Sequence, residues 1–133
     1  MAPAKLSLRI DLPNGSRLGP GKVALLEAVR RSRSIAAAAR AEDMSYRRAW
    51  LLVDDLNHAF SEPVVETFPG RSQGAGAALT PFGERLVAIY RAAERRCAKA
   101  AEVPIAEIVG ACDRSYVRDG LTRSRGKAPG GAA

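Results

Sequence analysis

Histidine, cysteine and aromatic side chains are scarce in this sequence: 133 residues carry one histidine and two cysteines, and only 5% are aromatic. His58, Cys97 and Cys112 build neither a zinc-ligand spacing nor a disulfide framework, so no metal site and no cofactor is expected. Both thiols read as small apolar side chains, and His58 as a solvated one. No apolar run approaches the roughly 18 residues of a membrane span. The N-terminus alternates Leu6, Leu8, Ile10 and Leu12 with polar residues where a signal peptide has a continuous apolar core. The expectation is a soluble, cytoplasmic protein without a membrane partner. Catalytic pairing is lacking as well. Gly19, Pro20, Gly21 and Lys22 lead into Val23 where a phosphate loop needs Ser or Thr, and GAGAAL at 74–79 has no acidic residue at the dinucleotide-binding distance. No nucleophile stands in a recognisable motif with a base, so no enzyme is expected.

What is abundant is arginine. Lys and Arg number 21 against 14 Asp and Glu, a formal charge of +7, and 17 of the cations are Arg, which grips phosphate bidentately and reads guanine edges. The charge is uneven: residues 1–33 carry +5, residues 34–80 carry −2 and residues 81–133 carry +4. Placement therefore matters more than the total. Length and a modest aliphatic core fit one domain, or one domain plus a tail.

LSLRIDL at 6–12 alternates as a strand that Pro13, Asn14 and Gly15 end. Ala24, Leu25, Leu26, Ala28 and Val29 follow helical spacing over 21–33, with Arg30, Arg31 and Arg33 in the last turn. Ser34 can cap a short helix over IAAAARA, whose small side chains let a second helix cross closely. Glu42, Asp43 and Met44 form a turn, and Ser45 caps a helix over 46–60 with Ala49, Leu52, Val53, Leu56 and Phe60 as its core stripe. Trp50 and Leu51 are expected to pack. Pro63 stops this helix, a strand follows over 64–68, PGRSQGAG at 69–76 forms a loop, and a second strand runs over 77–80. Two strands around a glycine loop directly after a helix-turn-helix predict a winged helix, with the loop as the wing. Beyond Pro81, Phe82, Leu86, Ile89, Tyr90, Ala93 and Cys97 keep one apolar face to about Val103. Such a seam predicts a homodimer through Leu86, Ile89, Tyr90 and Ala93. A further short helix is predicted within 104–117. The segment from Gly120 reads as a disordered basic tail that adds phosphate attraction.

The predicted class is mainly α with a small β-hairpin wing: a winged helix-turn-helix DNA-binding domain over 1–80, a long dimerisation helix over 81–103 and a C-terminal extension over 104–133. Arg47 and Arg48 fall in the first turn of a helix, where cations oppose the helix dipole by roughly 0.3 to 1 kcal/mol, so an exposed pair there needs an external reason. Phosphates or base edges in a major groove supply one. Arg71 and Gln73 on the glycine loop suit a minor groove or a phosphate.

SIAAAARAEDMSYRRAWLLVDDLN at 34–57, followed by PVVETFPGRSQGAGAALTPFGERLV at 63–87, resembles the N-terminal DNA-binding domain of the ModE family of molybdate-responsive transcription regulators, whose helix-turn-helix is related to that of LysR-type regulators. The resemblance covers about residues 18–95 and rests on SYRRAW, the glycine-rich wing and LTPFGERL. It implies a dimeric winged helix on a palindromic operator in double-stranded DNA. Ser45, Tyr46, Arg47 and Arg48 fall at recognition-helix positions, and residues 71–76 fall on the wing. The DNA-contacting candidates are thus Ser34, Ser45, Tyr46, Arg47, Arg48, Arg71, Ser72 and Gln73. Full-length members add molybdate-binding domains, for which this chain has no room after Val103, so no molybdate binding is expected here. Members also carry an apolar residue and Gly in the turn where this chain has Glu42 and Asp43, and Asp tolerates the left-handed conformation the turn needs. The alternative is a protein-interaction adaptor on a winged-helix scaffold, which has no need of Arg47, Arg48 and Arg71 together. RNA binding would call for more exposed aromatics.

Overall fold

The computed structural model describes residues 3–71 and 74–118. Lys5–Ala100 form one compact unit; Ala101 onward, with the first four residues, belongs to a second.

The first unit opens with a hairpin, β1 (Ile10–Asp11) paired antiparallel with β2 (Arg17–Leu18). Its turn needs the positive φ of Gly15, +92°, and Asn14 braces it by accepting from the Ser16 amide at 3.1 Å. The ladder is shorter than the alternation over 6–12 predicts. Leu6 and Ile10 stay exposed and only Leu8 leans on the core, because a two-stranded hairpin has no second layer to bury its face.

Helix α1 (Pro20–Ser32) starts at a proline, which suits the first helical position, and ends where Arg33 turns left-handed at φ 59°. Its Val23, Leu25, Leu26, Ala28 and Val29 are the centre of the core. Ser34 caps α2 (Ile35–Ala41) by accepting from the Ala37 amide at 3.0 Å, and Ser45 caps α3 (Tyr46–Ala59) by accepting from the Arg48 amide at 3.0 Å. Between them Asp43 adopts φ 58°, and Met44 N–H reaches back to the Ala39 carbonyl at 2.9 Å. That left-handed residue lets α3 leave α2 at once, and Ala38, Ala39 and Ala49 are buried where the helices pack.

Strands β3 (Val65–Arg71) and β4 (Gly74–Leu79) pair antiparallel from Val65 opposite Leu79 to Arg71 opposite Gly74. They run further into the glycine segment than the predicted strands, with a register irregularity between Phe68 and Arg71 where Pro69 has no amide to donate. One bond, Ala77 N–H to Arg33 C=O at 3.0 Å, ties the hairpin to the end of α1.

Helix α4 (Pro81–Ala100) begins in the first unit's core. Thr80 Oγ1 accepts from the Gly83 amide at 2.9 Å and donates to the Pro63 carbonyl at 2.7 Å. Gly83 lets the helix lie against the chain entering β3: a Cβ there would sit 2.2 Å from the Val64 carbonyl oxygen. The helix ends three residues before the predicted Val103. Pro104 offers no N–H to the Ala100 carbonyl, so the chain starts a new helix, α5 (Glu102–Gly110), in the second unit. Nothing in α5 is buried, and Val103 and Ile108 are exposed. The chain is therefore mainly helical with two small antiparallel strand pairs, in agreement with a winged helix plus a long helix.

Gly83→Ala forces backbone apart and is expected to destabilise the chain by about 2 kcal/mol or more, read by chemical denaturation. Thr80→Ala, which removes a cap and orphans a carbonyl, should cost about 1 kcal/mol. A Gly83→Ala variant as stable as wild type would contradict the close approach.

Candidate nucleic-acid interface

Helix α3 presents two faces. Ala49, Val53 and Leu56 are buried, while Arg47, Arg48, Leu51, Asp54, Asp55 and His58 are exposed. Leu51 corrects the expectation that it packs: at 57% exposure it lies one turn beyond Arg47 on the open side. Trp50 leans against the core and meets the exposed Tyr46 ring edge-on, with centroids 6.3 Å apart. No acidic residue occupies the first turn of α3. Arg47 and Arg48 make no salt bridge among the described residues, so the dipole at this end meets two unpaired guanidiniums. The hydroxyls of Ser34 and Ser45 are engaged as caps, and each keeps a donor proton for an outside acceptor.

The C-terminal half of α3 is bolted down on two sides. Asn57 is a residue that periodicity cannot single out: its Oδ1 accepts from the Val64 and Val65 amides at 2.7 and 2.9 Å, and its Nδ2 donates to the Val65 carbonyl at 3.0 Å. That three-bond clamp sets β3, and hence the wing, against α3. On the other side Asp55 accepts from Lys22 Nζ and from Ser16 Oγ, joining α3 to α1 and to the β1–β2 hairpin. The Lys22 ammonium, followed by the Ser16 hydroxyl, holds the Asp55 carboxyl below its ordinary range. Lys22 also donates to the Arg17 carbonyl at 2.8 Å, and Asn14 Nδ2 to the Ala59 carbonyl at 2.9 Å.

On the wing, Arg71 closes β3 opposite Gly74, and Ser72 and Gln73 lie outside the described residues, as does the segment from Gly120. Along α4 the expectation of an unburied apolar seam is corrected. Leu86 and Tyr90 are buried in the chain's own core because α4 packs on α1 and β4, and the Tyr90 hydroxyl donates to the Leu8 carbonyl. Ala93 is half-buried, and Ile89 is 61% exposed. Arg91 pins this packing. It is bidentate to Glu27 of α1 at 2.7 and 3.0 Å and reaches Glu94 at 2.6 Å, and its guanidinium holds the Glu27 carboxyl below the ordinary range.

No family model matches the chain. Over 85 residues it is 48% identical to the molybdenum-pterin-binding protein MopB of Rhodobacter capsulatus, covering 64% of this chain and 32% of that protein. The chain is homologous to ModE and Mop proteins. With the molybdenum transport protein ModE of Azotobacter vinelandii it shares 42% identity over 91 residues, 68% of this chain and 33% of that one. With the DNA-binding transcriptional dual regulator ModE of Escherichia coli K12 it shares 31% over 87 residues, 65% and 33% of the two chains. The chain thus spans about a third of the length of the curated relatives it matches. Among the described residues no helix is long and apolar enough to cross a membrane.

Because the Asp55 carboxyl is held low, its contribution is full above the ordinary aspartate range and disappears as pH falls through the lowered value. Asp55→Asn should therefore melt below wild type at neutral pH, with the gap closing below about pH 4. A gap that stayed constant across this range would contradict the clamp.

Proposed function

We propose that this chain is a sequence-specific, ModE-like transcription regulator that binds double-stranded DNA as a dimer without catalysing a reaction. The observation that carries the reading is the pair Arg47 and Arg48: exposed, unpaired among the described residues, and set by the Ser45 cap in the first turn of α3. The names of its ModE relatives as transcriptional regulators support it. In this reading Ser45, Tyr46, Arg47 and Arg48 enter the major groove of a palindromic operator. Ser34 touches phosphate, and the wing, with Arg71, Ser72 and Gln73, meets the neighbouring backbone or minor groove. Residues 1–80 do the reading, residues 81–103 support dimer formation, and residues 104–133 are an extension. A second copy is brought in by what α4 leaves uncovered, Ile89 with Ala93. Leu86 and Tyr90 support that surface from beneath. Molybdate is assigned no site in these 133 residues.

A base-reading Arg replaced by Ala should cost about 1 to 3 kcal/mol and relax preference at one position of a duplex selected from a random library. Arg47→Ala and Arg48→Ala are the variants to compare. Affinity equal to wild type for both variants, on selected and random duplexes, would contradict the reading. Light scattering should report a dimer that Ile89→Asp converts to monomer. A wild-type monomer at micromolar concentration would contradict the second-copy assignment.

A further inference from the structure

Between the β1–β2 hairpin, the start of α1 and α3 lies an open groove of about 510 Å³. Arg9, Arg17, Lys22 and Arg48 line it, Leu52 forms part of its wall, and Asp55 is the one carboxylate among its lining residues. That carboxylate is already taken by Lys22 and Ser16, so it does not neutralise the arginines. Arg9 pairs with Asp11 at 3.0 Å, but both side chains are well exposed, and such a pair is worth little and exchanges readily. Arg17 and Arg48 have no salt bridge among the described residues. The groove therefore carries a surplus of guanidinium with its own acid consumed.

Two features say what this surplus suits. Arg48 belongs both to the groove and to the exposed first turn of α3, so the groove continues the surface that carries Arg47. Its wall at Gly19, Pro20 and Gly21 has little side chain, and a Cβ at Gly21 would meet nothing within 4 Å, which leaves room for a bulky backbone. Planar forks of Arg match phosphate oxygens, and among the lining residues three are Arg while Leu52 and Pro20 are the apolar side chains beside them. We propose that this groove takes a backbone phosphate of the duplex that α3 contacts, making the β1–β2 hairpin a second clamp on the DNA backbone, apart from the β3–β4 wing. The proposal rests on the DNA-reading function above. The Lys22–Asp55–Ser16 bonds then serve to hold Arg9 and Arg17 at a set distance from α3, so that hairpin and helix engage one duplex as a unit.

The test uses the full 133-residue chain and fluorescence anisotropy over a salt series, with a random-sequence duplex and a duplex selected from a random library. Arg9→Ala, Arg17→Ala and the charge reversal Arg17→Glu are compared with wild type, and thermal melting checks that each is folded. Each lost phosphate contact should lower the slope of log affinity against log salt by about 1 and weaken both duplexes by the same factor. Arg17→Glu should weaken both further. Unchanged slopes in all three folded variants would overturn the proposal. So would a loss confined to the selected duplex, which would make the hairpin a base reader, or stoichiometric binding of inorganic phosphate with DNA affinity untouched by the variants. If wild type binds no duplex, the DNA-reading function fails and this inference with it. If wild type binds and Arg47→Ala loses discrimination while the hairpin variants change nothing, only the groove assignment fails.

Discussion

The exposure of Arg47 and Arg48 depends on how closely α2 and α3 cross, and alanine sets that closeness. Helix α2 has only seven residues, too few to hold its own shape in water, and it persists because Ile35, Ala38 and Ala39 are buried against its neighbours. A larger side chain at Ala38, Ala39 or Ala49 would push α3 outward and rotate its first turn. With so few aromatics, the core is built from Leu, Val and Ala, and helices packed through such side chains have little freedom to slide. The left-handed Asp43 and the two serine caps complete the constraint: α2 ends, turns and restarts as α3, and at each helix start a serine hydroxyl takes one orphan amide.

Charge then does two different jobs. Where Arg91 meets Glu27, and Lys22 meets Asp55, opposite charges are paired and partly shielded, and they fix helix against helix. Arg47 and Arg48 at the start of α3 and Arg17 on the β1–β2 hairpin have no salt bridge among the described residues, and Arg9 has only its exposed pair with Asp11, at some cost to the isolated chain that an anionic surface would repay. The basic side chains therefore divide between those that join elements, Arg91 and Lys22, and those left facing outward, Arg17, Arg47 and Arg48.

Much of this was legible in the residues. A hydroxyl before a helical pattern, as at Ser34 and Ser45, is a local signal with a local outcome, and so is Asp43 in the turn. The winged-helix class follows from the order of such segments. What periodicity does not reveal is the surface against which an apolar face rests. Leu86 and Tyr90 read as a free seam, yet α1 and β4 already cover them. Leu51 reads as packing because it neighbours Trp50 and Leu52, although the turn of α3 carries it outward. Asn57 and Asp55 act through partners 8 and 33 residues away, a distance over which spacing rules have nothing to say. The reach of Pro104 back to Ala100 was readable in principle, since a proline withdraws a bond from the residue four before it.

The central claim is that α3 faces DNA through its first turn, and amide chemical-shift mapping by NMR tests it most directly. On titration with a short duplex selected from a random library, the amides of Ser45, Tyr46, Arg47 and Arg48 should shift or broaden first, with those of β1–β2 and of β3–β4 following at the same stoichiometry. The buried centre of α1, Leu25 to Val29, should move little. Shifts confined to α4 or α5, with the start of α3 silent at saturation, would contradict the account.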